Sequence, residues 1–361
     1  MRRFFTLLFT IVLVATTAKA GEATTDHFTV SALQTQGSYT YFTVSLVGTR
    51  NYTAYNMDIH LPNGVSPTVY NNNIMVTLVD GIYPTSDPFS NTKLHTIGAT
   101  WDVVGDQILR IVCNSTTNAE FVNTSGVLFR AYVNVSPYAK AGTNEITIDN
   151  ANLIVKEGAT QYDPADEQHS IDLGTDRSLT LNISSDNKWS TCVLPFDHAL
   201  PTGVQAYTCA GTSGEYLAMD EATTLEAYKP YILYAENGYT GNLSGTADAS
   251  KYVATATAGL LNGAVVAREL TEGYVLQNIE NDVRFYNIDG QTFVIPEGRC
   301  WLAVPEEARL SYRFGDDATA VTAPLAADAA PEVYDLNGRR VSQPQPGHIY
   351  IIGGRKMLKF K

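Results

Sequence analysis

The chain has 361 residues, with 24 basic and 37 acidic side chains and a formal net charge of −13. An acidic surface repels phosphate backbones and anionic membranes, which argues against nucleic acid as a partner. Four cysteines are too few for a scaffold built on disulfides, and the length is sufficient for two domains.

The N-terminus carries the features of a secretory signal peptide over residues 1–20. It has a positive start at 2–3, an apolar run at 4–15 and a small-x-small cleavage site at 18–20. The run is too short and wrongly flanked for a membrane span, and no later segment is apolar for long enough. We therefore expect an exported protein, secreted or at the outer cell surface, without a transmembrane segment.

Alternation of apolar and polar residues predicts antiparallel strands over residues 22–157. It is clearest in 51–65, and it recurs at 39–48, 108–113, 127–135 and 145–155, with turn residues between the runs. In 51–65 the predicted core-facing residues are Tyr55, Met57, Ile59 and Leu61, and the outward-facing ones are Asn56, Asp58 and His60. Many short strands separated by turns are typical of a β-sandwich.

Three motifs in this first region resemble a cohesin-type β-sandwich of secreted bacterial proteins. They are LPNGV at 61–65, GVLFRAYVNVS at 126–136 and AGTNEITIDNANLIV at 141–155. Cohesins dock a partner domain on a flat sheet face, so the resemblance implies a protein partner without identifying its contact residues.

Residues 158–176 are polar and acidic with little periodicity, and we predict a linker there. Alternation resumes afterwards and predicts a second all-β domain over 177–315, a normal domain size. WSTCVLPF at 189–196, KPYIL at 229–233 and IPEGRCWL at 295–302 resemble an uncharacterised β-domain of Bacteroidota surface proteins. That resemblance implies location more than activity.

The C-terminal region is predicted to be a spacer at 316–331 followed by a short β tail at 332–361. The tail resembles a shortened sorting (Por) domain of the type IX secretion system, which implies that the export machinery handles it. The residues that fit that pattern are Tyr334, Asp335, Gly338, Arg339, Tyr350 and Ile351. The whole chain is thus predicted to be all-β, with two antiparallel β-sandwich-like domains in tandem and this tail.

Residues capable of covalent or metal chemistry are scattered along the sequence. The six histidines form no pair at metal-ligand spacing, so we expect His60 and His198 to be solvated or locally hydrogen-bonded, with no metal or cofactor. The sequence lacks a G-x-S-x-G elbow and a phosphate-binding glycine loop. The cysteines are either all free, with Cys113 buried, or include a bridge between Cys192 and Cys209.

Tyrosine is unusually frequent, with 21 residues. Tyr39 and Tyr41 fall on the polar phase of a predicted strand, two apart, so their rings would stand side by side facing water. Tyrosine rings, which are flat and carry a polar hydroxyl, bind sugars and protein surfaces. Tyrosine is also common on the surface of β-sheets without any binding role. These two residues are the candidate ligand-binding pair.

Three functions fit these features. The first is an exported, non-catalytic binding or adhesion protein that recognises a glycan or another protein at the cell surface. The second is a structural spacer or matrix component. The third is a carbohydrate hydrolase with an acid pair in loops 71–100 or 156–177. Since no catalytic motif is present, the sequence favours the first and predicts no enzyme activity.

Overall fold

The computed structural model describes residues 21–86, 92–102, 107–213, 216–279, 282–288, 291–303, 312–314, 333–336, 339–341, 343–345, 347–352 and 355–359. The predicted signal peptide, the predicted spacer and Gly338 lie outside these residues. The described chain divides into two compact units. The first unit comprises 21–61, 66–134 and 145–171, and the second comprises 62–65, 135–144 and residues from 172 onward.

Short strands with few helical residues make up the first half of the chain. A 3-10 helix at Glu157–Ala159 is the helical element described there. The strands are β1 Glu22–Ala23, β2 His27–Val30, β3 Gln34–Gln36, β4 Tyr39–Val47, β5 Ala54–His60, β6 Val65–Pro67, β7 Val69–Tyr70, β8 Asn73–Ile74, β9 Val76–Leu78, β10 His95–Asp102, β11 Ile108–Ser115, β12 Gly126–Val135, β13 Thr143–Ile154, β14 Gln161–Asp163 and β15 Glu167–Asp172.

These strands form two main sheets. One has the order β1-β14-β13-β5-β11-β10, with β15 paired to β13. The other has the order β2-β4-β12-β6, with β3 on β4 and β9 on β12, and β7 and β8 form a separate hairpin. The central pairs are antiparallel, whereas β1 runs parallel to β14.

The two sheets of the first unit share one apolar core. On β5, Tyr55, Met57 and Ile59 are each at most 1% exposed, as their phase in the sequence predicts. The ring of Tyr55 stacks on that of Phe129 from β12, with centroids 6.1 Å apart, so side chains from both sheets meet. Burying an aliphatic or aromatic side chain of this size contributes about 1.5–3 kcal/mol, which locks the register of each strand.

Two bulges interrupt the alternation that the sequence predicts. The register of β12 on β4 shifts between Val127 and Phe129, so these residues do not share one phase, and Leu128 is buried between them. The register of β13 on β5 shifts between Asp149 and Asn152. An extra residue in one strand of a pair reverses the facing of the residues before it.

The linker predicted at 158–176 is wrong, because this segment contributes β14 and β15 to the first sheet. Ile171 is 1% exposed, and the Glu167 carboxylate accepts a hydrogen bond from the Phe28 amide at 2.9 Å. Both strands are short and lie beside polar loops, so few core-facing residues mark them in the sequence. The first unit consequently ends at residue 171 rather than 157.

The second half of the chain is also built from short strands, with one described 3-10 helix at Ala249–Lys251. The strands are β16 Asp176–Ile183, β17 Trp189–Val193, β18 His198–Ala199, β19 Gln205–Ser213, β20 Tyr216–Ala222, β21 Thr224–Leu225, β22 Pro230–Tyr234, β23 Tyr239–Thr246, β24 Thr255–Ala258, β25 Leu261–Ala264, β26 Arg268–Leu270, β27 Tyr274–Ile279, β28 Asp282–Asn287, β29 Phe293–Ile295, β30 Cys300–Leu302, β31 Tyr312–Phe314, β32 Val333–Tyr334, β33 Ile349–Ile352 and β34 Arg355–Lys359.

Two larger sheets and three strand pairs organise the second unit. The larger sheets have the orders β17-β22-β19-β20-β31-β34-β33-β32 and β24-β25-β30-β27-β28. The strand pairs are β16-β23, β18-β21 and β26-β29. The tail strand β34 lies antiparallel to β20, so the C-terminal tail extends a sheet of the second unit. The predicted all-β, antiparallel fold class is confirmed.

All five residues of strand β17 are buried. Trp189 and Val193 belong to one apolar cluster, and Cys192 belongs to another, because successive side chains point to opposite faces. Apolar clusters on both faces explain why WSTCV shows no alternation. No helix in the described part of the chain is both long and apolar enough to span a bilayer.

All four cysteines are free and buried. The alternative of a bridge between Cys192 and Cys209 is therefore not realised, and the two thiols belong to different apolar clusters. Burial raises the pKa of Cys113, Cys192 and Cys209 to about 12. Such thiols stay protonated and unreactive at neutral pH, as expected of buried structural cysteines.

Candidate functional site

The predicted tyrosine pair lies on the outer side of β4, but only one of its members is exposed. Tyr39 is 40% exposed and Tyr41 only 8%. Tyr41 donates a hydrogen bond from Oη to Gln34 Oε1 at 2.9 Å, and the guanidinium of Arg130 lies 5.3 Å from its ring centroid. The prediction that both rings face water is therefore wrong for Tyr41, because side chains from neighbouring strands cover it.

Tyr39 and the half-buried Tyr132 form an aromatic surface on this sheet, which we call the tyrosine patch. The Tyr132 ring meets the Tyr39 ring edge to face at 6.0 Å and lies 5.5 Å from that of Tyr41. Tyr132 stands opposite Tyr41 in the register of β12 on β4. The alternation over 127–135 predicts that Tyr132 faces outward. It does not predict that Tyr132 lies beside Tyr39 and Tyr41, because that contact depends on the pairing of β12 with β4.

The outer face of the other sheet is polar and internally paired. His60 Nε2 lies 2.9 Å from Asp149 Oδ2, and Arg110 Nε lies 3.2 Å from Asp58 Oδ1. The register places Asp58 directly opposite Asp149, so the two carboxylates are neighbours on an exposed face. Each has its own cationic or imidazole partner, and His60 lies outward as its phase in the sequence predicts.

A cavity of about 370 Å³ lies within the second unit. Its walls come from the end of β16, the following turn, the start of β17, and strands β27 to β30. The neutral polar side chains that line it are amides and hydroxyls, namely Asn182, Ser184, Asn187, Ser190, Thr191, Gln277 and Asn278. The apolar and aromatic ones are Trp189, Val275, Leu276, Val283, Phe293 and Ile295.

Several of the polar groups are fixed in place by hydrogen bonds to neighbouring strands. Asn278 Nδ2 donates to Asn187 Oδ1, which ties β27 to the turn after β16. Asn182 Oδ1 accepts a hydrogen bond from Thr240 Oγ1 at 2.9 Å. An amide whose oxygen is engaged keeps N–H donors for a ligand, so the cavity presents oriented groups.

Arg299 is the charged residue among the described residues that line this cavity, and none of them is Asp or Glu. Its Nη1 donates to Ser190 Oγ at 2.5 Å and to the Thr191 carbonyl at 3.2 Å. The Arg299 amide donates to the Pro296 carbonyl at 3.3 Å, which closes a turn that has Gly298 at φ +80°. A β-turn with a positive φ at its third position favours glycine there. The PEGR turn at 296–299 therefore fixes Arg299 directly before β30.

Sequence reasoning missed this cavity, although it singled out the segments that build it. WSTCVLPF supplies Trp189 and Ser190, and IPEGRCWL supplies Arg299. A useful indication was present in the second motif, where one cation follows a Pro-x-Gly turn and precedes a buried strand. The asparagines come from a separate turn and strand, and sequence spacing alone does not bring them together.

The described residues of the tail motif make a hairpin. Tyr334 lies opposite Ile351 in the pairing of β32 with β33. The Arg339 amide donates to Asp335 Oδ1 at 2.8 Å, and Tyr350 Oη accepts a hydrogen bond from the Gln345 amide at 2.7 Å. Of these motif residues, Asp335 and Tyr350 thus act through their side chains within the hairpin region.

Within the described part of the chain, the histidines and the two acidic loops form no assembled centre. Among the described residues, no group of three or more His, Cys, Asp or Glu side chains could hold a metal ion. His198 Nδ1 lies 2.6 Å from the adjacent Ala199 carbonyl. In the loops predicted to hold an acid pair, Asp80 pairs with Lys93 at 2.7 Å and Asp163 accepts from the Gly21 amide at 2.6 Å. Burial raises the pKa of Glu297, which accepts a hydrogen bond from Ser136.

No protein-family model matches this sequence, and no curated protein matches it. Solved structures similar to it include a cohesin module from a family 33 glycoside hydrolase of Clostridium perfringens, at 9% identity and a TM-score of 0.28, covering 43% of this chain and 96% of that chain. The second type II cohesin module of the cellulosomal adaptor ScaA scaffoldin of Acetivibrio cellulolyticus is 12% identical, with a TM-score of 0.26 over 39% of this chain and 95% of that one.

The type II cohesin dyad of the same scaffoldin is 13% identical, with a TM-score of 0.27, and covers 74% of this chain and 96% of the dyad. Cohesin modules are thus among the structures that this chain is similar to. At these identities and TM-scores the likeness carries no argument about function. The all-β class rests on the strands and sheets of the chain itself.

Proposed function

We propose that this is an exported, non-catalytic surface protein that binds a glycan in the cavity of the second unit. The cavity itself is the observation that carries the proposal. Its volume of about 370 Å³ lies at the lower end of the range for small-molecule sites, with room for a mono- or disaccharide unit. A site of that size would bind a terminal or branching sugar unit of a glycan rather than a long stretch of its chain.

The chemistry of the lining supports a sugar ligand. A sugar ring presents hydroxyl groups that both donate and accept hydrogen bonds, and apolar C–H faces. Amide side chains such as Asn187 and Asn278 match the hydroxyls, since each amide offers both donors and an acceptor. Trp189 and Phe293 supply flat apolar surface for the C–H faces.

The absence of a suitable acid pair supports a binding role over hydrolysis. Glycoside hydrolysis uses two carboxyl groups that flank the scissile bond. The described residues that line the cavity include no carboxyl group. Asp58 and Asp149 are adjacent, but they lie on an exposed sheet face of the first unit and each has its own partner.

A matched pair of asparagines on β16 and β23 tests the proposal. Asn182 lines the cavity and bonds Thr240, whereas Asn242 bonds Thr180 across the same strand pair and does not line it. We expect a glycan array to identify a ligand, and Asn182→Ala to weaken its binding by about 2- to 10-fold, the equivalent of one hydrogen bond. Asn242→Ala should leave binding unchanged. No bound glycan, or equal effects of the two variants, would contradict the proposal.

A protein partner on the tyrosine patch is the second candidate, favoured by the exposure of Tyr39 beside Tyr132. Exposed aromatic residues next to an arginine are enriched at protein interfaces. Tyr39→Ala should reduce capture of a cell-envelope partner in a pull-down. Tyr70→Ala, which removes a 60% exposed tyrosine elsewhere in the first unit, is the control. If arrays and pull-downs are both silent, the role of structural spacer replaces both binding roles.

Export by the signal peptide and sorting by the tail complete the proposal. The supporting features are the N-terminal leader pattern and the Tyr334 and Asp335 hairpin motif. Expression in a bacterium that has type IX secretion should bring the full chain to the cell surface. A chain that lacks residues 332–361 should accumulate inside the cell envelope, and surface display of that truncated chain would refute the role of the tail.

A further inference from the structure

Among the described residues, the guanidinium of Arg299 has no carboxylate partner. No Asp or Glu oxygen among the described residues lies within ion-pair distance of it, although the chain has 37 acidic residues and 24 basic ones. Two other arginines have acceptors within the protein. Arg110 pairs with Asp58, and Arg177 bonds several backbone carbonyls.

The hydrogen bonds of Arg299 leave one defined edge of the group available. Nη1 is engaged with Ser190 and the Thr191 carbonyl, and Nε and Nη2 are not. The edge formed by Nε and Nη2 matches the two oxygens of a carboxylate, which can accept two parallel hydrogen bonds from it. The turn at 296–299 and the bond to Ser190 hold the group before any ligand arrives, which lowers the entropic cost of binding.

The rest of the cavity complements this charge. Its other described polar groups are neutral amides and hydroxyls, so no competing cation or anion lines it. Trp189 and Phe293 add apolar surface to the same lining. A simple inorganic anion would use the arginine but would leave the amides and the aromatic walls without a role.

We propose that the cavity selects glycans that carry a carboxylate, such as terminal hexuronic acids, and that Arg299 binds the carboxylate through Nε and Nη2. This inference rests on the proposed glycan-binding function and names the class of sugar. The amides bind the ring hydroxyls, and the sugar carboxylate supplies the counter-charge that the described residues of the chain do not provide. A neutral sugar of the same shape fills the same space without that ion pair.

Calorimetric titration of the full chain with digalacturonate and with its neutral counterpart, galactobiose, tests the inference. We expect digalacturonate to bind about 10- to 100-fold more tightly than galactobiose, because a hydrogen-bonded charge pair contributes about 1.5–3 kcal/mol. Arg299→Gln should remove this preference, so that digalacturonate binds no more tightly than galactobiose. Arg299→Lys should retain only part of it, because an ammonium lacks the planar fork. Arg268→Gln, an exposed arginine outside the cavity, is the control for loss of charge.

The outcomes separate the inference from the function on which it rests. If both sugars bind the wild-type chain equally, or Arg299→Gln keeps the preference, the inference fails and glycan binding stands. If neither sugar nor any array glycan binds, both fail. If acetate binds as tightly as digalacturonate, the site is a general carboxylate site and the sugar selectivity is wrong. If Arg299→Gln does not fold, the wild-type chain still tests the inference. Its preference for digalacturonate over galactobiose should be present and should weaken as salt is added.

Discussion

Tyr52→Phe tests whether a buried carboxylate is held by hydrogen bonds at the edge of the first unit. Asp26 is only 2% exposed, and the side chain of Tyr52 is fully buried. Tyr52 Oη donates to Asp26 Oδ2, and Thr49 Oγ1 donates to Asp26 Oδ1 at 2.8 Å. The substitution removes one donor and keeps the ring that meets Tyr162 edge to face.

The expected cost follows from the burial of the carboxylate. Burial by itself raises the pKa of Asp26, but hydrogen bonds from Tyr52 and Thr49 and the charge of Arg50 outweigh it and lower the pKa below 3.8. Loss of one hydrogen bond to a charged, buried group costs about 1.5–3 kcal/mol. A carboxyl group with a depressed pKa stabilises the fold above its unfolded pKa, and that stability is lost as pH falls through the folded pKa. The cost should therefore be largest near neutral pH and shrink below pH ~3.9.

Hydrogen exchange of the full chain, read by mass spectrometry on peptides from β4 and β5, measures this cost in the first unit alone. Tyr41→Phe is the matched control, because it removes a hydrogen bond to the exposed, uncharged Gln34 and should cost about 0.5–1 kcal/mol. A cost for Tyr52→Phe no larger than that of the control, or one independent of pH down to 3, would refute the reasoning.

Three further predictions concern the second unit and the thiols. Gly259→Ala should lower the free energy of unfolding by more than about 2 kcal/mol in urea denaturation, because at φ +59° a Cβ there would lie 1.8 Å from the Cys209 carbonyl oxygen. The control is Gly37→Ala, which should cost only about 1 kcal/mol, because Gly37 has a similar φ of +63° but open space around it. Equal costs for the two variants would contradict the close packing at Gly259. Thiol titration should detect four free cysteines in the denatured chain, and no cysteine should react rapidly in the native chain. A count of two in the denatured chain would indicate a disulfide bridge. Removal of residues 333–361 should speed hydrogen exchange in β20, because β34 pairs with it, and unchanged protection would show that the pairing is absent.

The core of the first unit could be predicted from the sequence because each main sheet has one buried face and one that faces solvent. Tyr55, Met57 and Ile59 alternate with polar residues, and that period has one structural solution. The bulges at Leu128 and Asn150 could not be predicted, because an extra residue leaves no mark in the composition. The strands in 158–176 were missed because short strands at the edge of a sheet bury too few residues to produce a period.

The candidate sites show the same limit. Tyr39 and Tyr41 were correctly placed on one face, but the exposure of Tyr41 depends on Gln34 and Arg130 from neighbouring strands. The cavity of the second unit combines a turn near residue 187, strand β27 and the turn before β30, which are far apart in the sequence. The buried strand β17 shows no alternation, so periodicity indicates neither which of its residues line the cavity nor which ones bond Arg299.

A crystal structure of the full chain with digalacturonate would show directly whether the cavity binds an acidic sugar through Arg299. We expect a sugar ring in the cavity of the second unit, with its carboxylate oxygens within hydrogen-bonding distance of Arg299 Nε and Nη2 and its hydroxyls on the asparagine amides. A ligand bound at the tyrosine patch instead, or a cavity that stays empty at saturating concentrations, would contradict it.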